Sequence, residues 1–332
     1  MARSGDGTGV RADMSPSGFG PTSTTDDVLQ GVDLAGRFYL VTGASGGLGL
    51  ETSRALAAHG ARVVMAARNR DKNEAAAESI RRLHPDADLE LLDIDLGSLE
   101  SVREAASQFL DSGSKLDGIV ANAGIMATPF ELSVDGFESQ FAVDHLGHFL
   151  LLDVLLPRLA ESGAARVVVV SSAGHRMGDV DFHDLNFERR DYDPFVAYGA
   201  AKTCNVLHAV GIDQRWSERG VRGFAVHPGG IHTELGRYMT PDVIGSLLSR
   251  MDGSSGFRWK YIPEVAATQV WALTSPLLNG VGGVYCEDCN VSPVLGTDVE
   301  TVDGPGVAAR AVDPRRADEL WSLSERLVSR AD

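Results

Sequence analysis

Lysine is the scarcest charged residue of this chain: Lys72, Lys115, Lys202 and Lys260 are the only ones in 332 residues, and arginine fills the other basic positions. Cysteine is rarer still. Cys204, Cys286 and Cys289 cannot build the disulfide framework of a small secreted domain, and a reducing compartment is the matching expectation. Cys286 and Cys289 form a lone CxxC without the four ligands of a structural zinc. His227 and His232 are too loosely spaced to complete one, so no metal is expected. Two reduced thiols are the plainer reading of the pair, and a redox couple is the lesser alternative. Apolar runs are short as well. Val167 to Val170 falls far below a membrane span, and Met1 to Gly20 lacks the apolar run of a secretory signal, so a cytoplasmic protein with no membrane span is expected. Positive charge is in deficit: 46 acidic against 30 basic residues leave a formal charge of -16, which repels polyanions and argues against nucleic acid as a partner.

What the chain has in quantity is apolar mass. With 43% hydrophobic and 23% charged residues it can fill one sizeable core. Residues 1–22 combine Gly, Ser, Pro and Asp with few large apolar groups and are expected to form a disordered tail. An N-terminal arm over residues 23–35 follows, where Thr24 and Asp27 spell a helix cap ahead of Val28 and Leu29. From 36 to 296, apolar runs alternate with helical patterns. Phe38 to Val41, Val63 to Ala66, Leu89 to Ile94, Ile119 to Ala121, Val167 to Val170, Gly223 to Val226 and Gly283 to Tyr285 read as strands. Helices are expected from Leu48 to Gly60, Ala75 to Leu83, Val102 to Leu110, Phe149 to Leu159, Tyr198 to Trp216 and Pro263 to Leu273. Nearly unbroken apolar strands separated by helices predict a parallel sheet covered on both faces, a doubly wound α/β domain of the Rossmann type. Residues 297–332 read as a C-terminal extension. Its helix after Pro314 carries Ala317, Leu320, Trp321, Leu323, Leu327 and Val328 on one face, expected to cover a substrate entrance or to seal an oligomer interface.

Between the first strand and the first helix lies Thr42-Gly43-Ala44-Ser45-Gly46-Gly47-Leu48-Gly49. Gly43 permits the turn, Gly47 lets backbone approach a pyrophosphate, and Gly49 allows close packing of a helix whose N–H groups favour an anion. Surface turns also use glycine, but the strand-turn-helix setting favours dinucleotide binding, with Ser45 and Leu48 in the same loop. At the end of the second strand, Ala67 and Arg68 stand where a carboxylate would accept from the ribose of NAD. A guanidinium offers a forked partner for the 2'-phosphate of NADP instead. NADP is therefore the preferred cofactor and NAD the alternative, with Arg68 then a platform for adenine. Asp95, with Leu96 beside it, is placed to meet the adenine or to cap the helix before Val102.

Tyr198 and Lys202 are four residues apart in a helical stretch and share a face. Tyrosine titrates near ~10 and is a poor base at neutral pH unless a nearby cation favours phenolate. That gives one of the few lysines a chemical reason for its place; an ordinary surface pair is the alternative. Ser171 and Ser172 end the run Val167 to Val170, where a hydroxyl can polarise a carbonyl or simply start a turn.

With these pieces in order, the sequence resembles the classical short-chain dehydrogenase/reductase family and, within it, the retinol-dehydrogenase-like branch. Thr42 to Gly49 matches the family's TGxxxGxG element, Asn122-Ala123-Gly124 its NAG element, and Tyr198-Gly199-Ala200-Ala201-Lys202 its YxxxK element. Pro228-Gly229 with Thr233 matches the PG and Thr signature. The resemblance implies an oxidoreductase that moves hydride between NADP(H) and a carbonyl or alcohol. It implies that Tyr198 is the general acid/base, that Lys202 lowers its pKa and holds the nicotinamide ribose, and that Ser172 polarises the substrate oxygen. It further implies that Asn122 supports the adenosine side, that Ile231 to Thr233 hold the nicotinamide carboxamide, and that the protein is a homodimer or homotetramer. One position departs from the pattern. Where the branch carries asparagine in its catalytic tetrad, this chain has Asp144, which cannot donate when ionised and whose charge favours charged Lys202 while opposing Tyr198 phenolate. A weakly catalytic NADP-binding sensor or scaffold of the same fold is the reading that this departure leaves open.

On the substrate side, His183, Asn186, Phe187, Arg189, Arg190 and Tyr192 fall in an inserted segment between Ser172 and Tyr198. They read as scaffold, with Phe187 packing and the two arginines solvated. Residues 234–262 place Leu235, Tyr238, Met239, Ile244, Leu247, Leu248, Met251, Phe257 and Trp259 around glycine-containing breaks. They are expected to form a lid over a lipophilic carbonyl or alcohol, or else an amphipathic helix packed on the core or on a sister subunit. Retinoids, steroids and bulky aromatic ketones all fit.

Overall fold

The computed structural model describes residues 16–231, 245, 259–296 and 304–330. The strands of its main sheet are β1 (Phe38–Thr42), β2 (Arg62–Ala67), β3 (Leu89–Asp93), β4 (Gly118–Ala121), β5 (Ala165–Val170), β6 (Val221–His227), β7 (Val284–Glu287) and β8 (Asn290–Val291). They form one sheet in the order β3-β2-β1-β4-β5-β6-β7-β8, parallel throughout except that β8 turns back on β7. The helices are α1 (Thr25–Leu29), α2 (Gly47–Ala58), α3 (Arg70–Leu83), α4 (Leu99–Asp111), α5 (Ser139–Phe141), α6 (Gly147–Ala160), α7 (Pro194–Trp216), α8 (Ile262–Thr274) and α9 (Pro314–Arg330).

Each central strand is buried on both faces, because successive side chains alternate between two cores. Leu40, Val64, Ile119, Val167 and Ala225 face the layer of α4, α6, α7 and α9. Val41, Val63, Val120, Val168 and Phe224 face α1, α2, α3 and α8. This is the expected doubly wound α/β domain. β1 pairs with β2 on one side and β4 on the other, so the sheet reverses its direction of growth there. The loops after β1 and β4 part at that reversal, where ligands of such sheets collect.

Local chemistry sets the helix starts. Thr24 and Asp27 form the reciprocal cap of α1, while Asn69 and Ser98 cap α3 and α4. α7 begins one turn before the expected Tyr198, because Asp193 accepts N–H bonds from Phe195 and Val196 and Pro194 occupies the first helical turn. Tyr198 therefore sits in the second turn, away from the fraying end. The helix expected from Phe149 also starts early: α5 leads into a π turn over Ala142–Leu146, which runs on into α6. Such an inserted residue re-aims the side chains around it, and Asp144 is one of them.

Residues 1–15 of the expected tail lie outside the described residues, but Ser17 N–H donates to Asn290 Oδ1 at 2.9 Å and Asn290 Nδ2 donates to the Phe19 carbonyl at 3.2 Å. Much of the apolar stripe of α9 packs within the chain. Ala317, Leu320, Trp321 and Val328 are buried, and α9 packs on α6 and α7. The Trp321 ring meets Phe149 edge-on at 5.1 Å. Gly211 makes room for it, since a Cβ there would lie 3.0 Å from Trp321 Cε3.

Candidate active site

Gly43, Arg68, Asp95, Asn122, Ser172 and Pro228 follow β1, β2, β3, β4, β5 and β6, so residues from six separate segments converge on one edge of the sheet. Gly43 and Gly47 have φ of 66° and 55°, the left-handed region that glycine enters without strain. Gly49 answers a different demand: a Cβ on it would lie 2.3 Å from the Gly43 carbonyl oxygen and 2.7 Å from Asn122 Nδ2. The glycine loop and the Asn122-Ala123 segment are thus packed as one unit. Thr42 Oγ1 accepts N–H bonds from Asn122 at 2.9 Å and Ala123 at 3.0 Å, and Asn122 Nδ2 donates to the Thr42 carbonyl at 2.9 Å. Buried Gln269 of α8 closes the unit from below, its Nε2 donating to Thr52 Oγ1 and, at 3.4 Å, to Asn122 Oδ1. Sequence reasoning passes over Gln269. Its only signal is a polar residue inside an otherwise apolar helix.

The same loop fits a dinucleotide. No side chain caps α2, and a Cβ added at Gly46 would meet nothing within 4 Å, so an uncapped twelve-residue helix opens toward free space beside Ser45 and Leu48. Arg68 is 75% exposed with Nη1 4.0 Å from Asp95 Oδ2, whereas Arg70 turns to Glu74 and Asp93. Asp95 folds its carboxylate onto the Gly97 N–H at 2.9 Å and leaves the capping of α4 to Ser98. Leu96 is buried, its carbonyl oxygen against Gly147, where a Cβ would come within 2.3 Å.

Asp144, Ser172, Tyr198 and Lys202 meet between β5, α7 and the π turn. Lys202 Nζ is 2.9 Å from Asp144 Oδ2 and 5.4 Å from the centre of the Tyr198 ring. Asp144 Oδ1 accepts the Ile125 N–H at 2.8 Å. Gly124 passes so close that a Cβ there would lie 3.2 Å from Lys202 Nζ. Ser172 Oγ accepts the Gly174 N–H at 3.0 Å. Burial raises Tyr198 above its ordinary value; Lys202 and Ser172 pull it down, Asp144 pushes it up, and the balance stays high. Burial works against charge on Lys202, but Asp144 and Tyr198 outweigh it and hold the ammonium above its ordinary value. A simple lowering of the tyrosine by the lysine is therefore not what this arrangement produces, because burial outweighs the lysine's field and the aspartate adds to the burial.

His148 ties the π turn to the glycine loop. Its Nδ1 lies 3.1 Å from the Asp144 carbonyl, which can only accept, so Nδ1 carries the proton and Nε2 accepts from the Thr42 hydroxyl at 2.8 Å. After β6, Gly229 has φ of 106° and Lys260 N–H donates to the Gly230 carbonyl at 3.0 Å. Ile231 is described; Thr233 and most of the expected lid, residues 232–244 and 246–258, lie outside the described residues. In the inserted segment Arg190 is packed rather than solvated, 4.1 Å over the Phe187 ring and 3.5 Å from Asp184. Cys286 and Cys289 are buried and burial pushes both thiols up, Cys289 to about 12, which withholds the thiolate that redox exchange needs. Among the described residues no group of His, Cys, Asp and Glu could hold a metal, and no helix is long and apolar enough to cross a membrane.

Known proteins are similar to this chain. The family described as short chain dehydrogenase matches residues 37–243. The short-chain dehydrogenase/reductase prx1 of Penicillium roqueforti is 41% identical over 318 residues, which cover 92% of this chain and 90% of the relative. A solved structure of an uncharacterised protein from Mycobacterium paratuberculosis is 34% identical, covers 93% of this chain and 98% of its own, and has a TM-score of 0.69. A gluconate 5-dehydrogenase from Burkholderia cenocepacia, solved in complex with NADP and tartrate, shares the fold at 22% identity, with a TM-score of 0.60 over 77% of this chain and 94% of its own.

Proposed function

The chain belongs to the short chain dehydrogenase family, and on that premise we propose that it uses NADPH, in preference to NADH, to reduce a lipophilic or aromatic ketone or aldehyde to the alcohol. The observation that carries this reading is the buried meeting of Tyr198 with Lys202 and Ser172 at the C-terminal edge of the sheet. Bound there, a nicotinamide dinucleotide supplies or takes the hydride. The residues of the chain handle oxygen and proton. Ser172 donates to the carbonyl oxygen and polarises it. Tyr198, kept protonated at neutral pH by its burial, passes the phenolic proton to that oxygen, and the Lys202 ammonium stabilises the phenolate left behind. Oxidation of the alcohol needs that phenolate first, so the raised tyrosine favours reduction.

Gly43, Ser45, Gly47, Leu48 and Gly49 would hold the pyrophosphate, and exposed Arg68 the 2'-phosphate. Asn122, Ala123 and Gly124 would support the adenosine side and the nearby ribose, and Pro228, Gly229, Ile231 and Thr233 the carboxamide. A lipophilic substrate is supported by the apolar content of residues 234–262 and by Trp259, half-exposed beside the loop after β6. The length of the segment between Ser172 and Tyr198 supports the retinol-dehydrogenase-like branch. The proposal extends to a cytoplasmic homodimer or homotetramer, with residues 36–296 as the catalytic unit and 297–332 as an extension packed on it.

Tyr198→Phe keeps the ring and removes only the transferable proton. Against a panel of steroids, retinoids and aryl ketones followed by nicotinamide absorbance, its kcat is expected to fall at least ~100-fold while NADPH affinity stays nearly constant. A Y198F enzyme working at the wild-type rate would refute the role. Stoichiometric NADP binding by the wild type without turnover of any panel member would favour the sensor instead.

A further inference from the structure

The peptide bond that follows Ser172 is held at both of its polar atoms by imidazoles. Its carbonyl oxygen, on Ser172, lies 2.7 Å from His175 Nδ1, and its N–H, on Ala173, donates to His227 Nδ1 at 3.2 Å. A carbonyl can only accept, so His175 Nδ1 carries a proton; its Nε2 accepts the Ala308 N–H at 3.1 Å and carries none. His227 Nδ1 is bare for the converse reason and accepts a second N–H, from Gly229, at 3.4 Å. The two rings therefore need opposite tautomers, and both need to be neutral.

The clamp joins three distant pieces of chain. His175 lies in the 3-10 turn Ala173–Arg176, His227 ends β6, and Ala308 ends the two-residue strand Val307–Ala308 of the C-terminal extension. The turn is braced from behind, where the Thr203 hydroxyl donates to the His175 carbonyl at 2.9 Å and Arg310 Nη2 to the Arg176 carbonyl at 3.1 Å. Fixing this peptide plane fixes ψ of Ser172, 157°, and with it the direction from which the serine side chain leaves the backbone. A serine hydroxyl rotates freely unless its backbone and its partners hold it.

We propose that His175 and His227 are positioning residues for catalysis: by clamping the Ser172–Ala173 peptide they hold the Ser172 hydroxyl on the Tyr198 phenol and the substrate oxygen. Through Ala308 and Gly229 the clamp makes the C-terminal extension and the loop after β6 one support for that serine. The inference rests on the reading that Ser172 polarises the substrate oxygen, and the test separates the two.

Leucine at either position fills the space without the hydrogen bonds, whereas asparagine offers a donor or acceptor close to the place of Nδ1. Assayed with the panel carbonyl that the wild type reduces fastest, His175→Leu and His227→Leu are expected to lose at least ~10-fold in kcat, with NADPH affinity little changed in His175→Leu. His175→Asn and His227→Asn are expected to recover most of it. In a Ser172→Ala background the same leucine substitutions should cost less than ~2-fold, because nothing remains to be positioned. Should the leucine variants not fold, His175→Gln and His227→Gln replace them, since their amides lie one carbon too far out to serve Nδ1. An independent readout is nitrogen NMR of the cofactor-free wild type, where the two rings should appear as opposite neutral tautomers. Identical tautomers, leucine variants with wild-type kcat, or equal losses with and without Ser172 would each overturn the clamp. A Ser172→Ala enzyme with wild-type kcat would overturn the reading of Ser172 itself.

Discussion

Lys202 Nζ stands 2.9 Å from Asp144 Oδ2, and only 4% and 0% of the two side chains are exposed. Truncating Asp144 would leave the buried Lys202 charge without a partner, at a typical cost of about 3–5 kcal/mol, whereas asparagine removes the negative charge but keeps an amide oxygen for the ammonium, so it is the informative substitution. Asp144 pushes Tyr198 up, and its neutral isostere should let the tyrosine fall. Asp144→Asn is therefore expected to move the alkaline limb of kcat for alcohol oxidation to lower pH, each unit corresponding to ~1.4 kcal/mol of differential interaction. Lys202 also loses a partner that raises it, which limits how far the working range extends at high pH. The check is a full pH profile under conditions where an isotope effect shows hydride transfer limiting. Superimposable profiles would remove Asp144 from the catalytic set.

Arg68 is the exposed guanidinium at the end of β2, while Arg70 is engaged with Glu74 and Asp93. Arg68→Ala is expected to weaken NADP at least ~10-fold and to leave NAD almost unchanged, as loss of a charge-assisted phosphate contact requires. Titration of both cofactors decides it. Equal losses would make Arg68 an adenine platform, and a wild-type preference for NAD would overturn the NADP assignment.

Two neighbouring glycines should respond in opposite ways. A Cβ at Gly49 meets the Gly43 carbonyl oxygen at 2.3 Å, so Gly49→Ala must displace the loop and is expected to cost about 1–3 kcal/mol in denaturant unfolding as well as cofactor binding. Gly46 has an extended φ of -176° and nothing within 4 Å of an added Cβ, so Gly46→Ala should unfold like the wild type while crowding the face offered to the pyrophosphate. A Gly49→Ala protein with the wild-type denaturant midpoint would contradict the packing account.

Burial lowers His145 and His227 to about 3 and His148 and His175 to about 4, and it lowers His208 well below its ordinary range. The unfolded chain takes up these protons near pH ~6.5, so this contribution to stability is complete above that pH and is lost as pH falls toward the folded values. Each histidine adds a slope of up to ~1.4 kcal/mol per pH unit. Glu138, Asp153, Asp213 and Glu287 are raised by burial and act in the opposite direction at the acid end of the window. His208 isolates the effect, because its ring packs against Phe149 and Trp321 and neither nitrogen has a hydrogen-bond partner among the described residues. His208→Leu should flatten the fall in Tm between about pH 7 and about pH 5. An unchanged slope would count against a neutral His208.

Asp193-Pro194 is a cap followed by a first-turn proline, a signal present in the sequence but overshadowed by the apolar pattern that begins at Tyr198. The π turn is different. Nothing in Ala142–Leu146 marks an extra residue per turn, since its side chains suit an α-helix equally well. Tyr198 and Lys202 are legible because four residues of one helix set their proximity, but the net direction of the tyrosine's shift is set by its burial, to which Asp144 adds from another helix.

By itself the sequence determined the parallel sheet, the glycine loop, the Tyr198-Lys202 pair and the serine at the end of β5. Those features follow from local periodicity: strands buried on both faces need unbroken apolar runs, tight turns need glycine, and one helical turn brings residues i and i+4 together. Only the tertiary structure decided that α9 closes on its own core, that Gln269 braces Asn122, and that His175 and His227 grip one peptide bond. Ala173 and His227 are 54 positions apart, and Ala308 and His175 are 133. A hydrogen bond across such a separation depends on how strands and helices stack in space, and the pattern of residues along either segment carries no record of its partner.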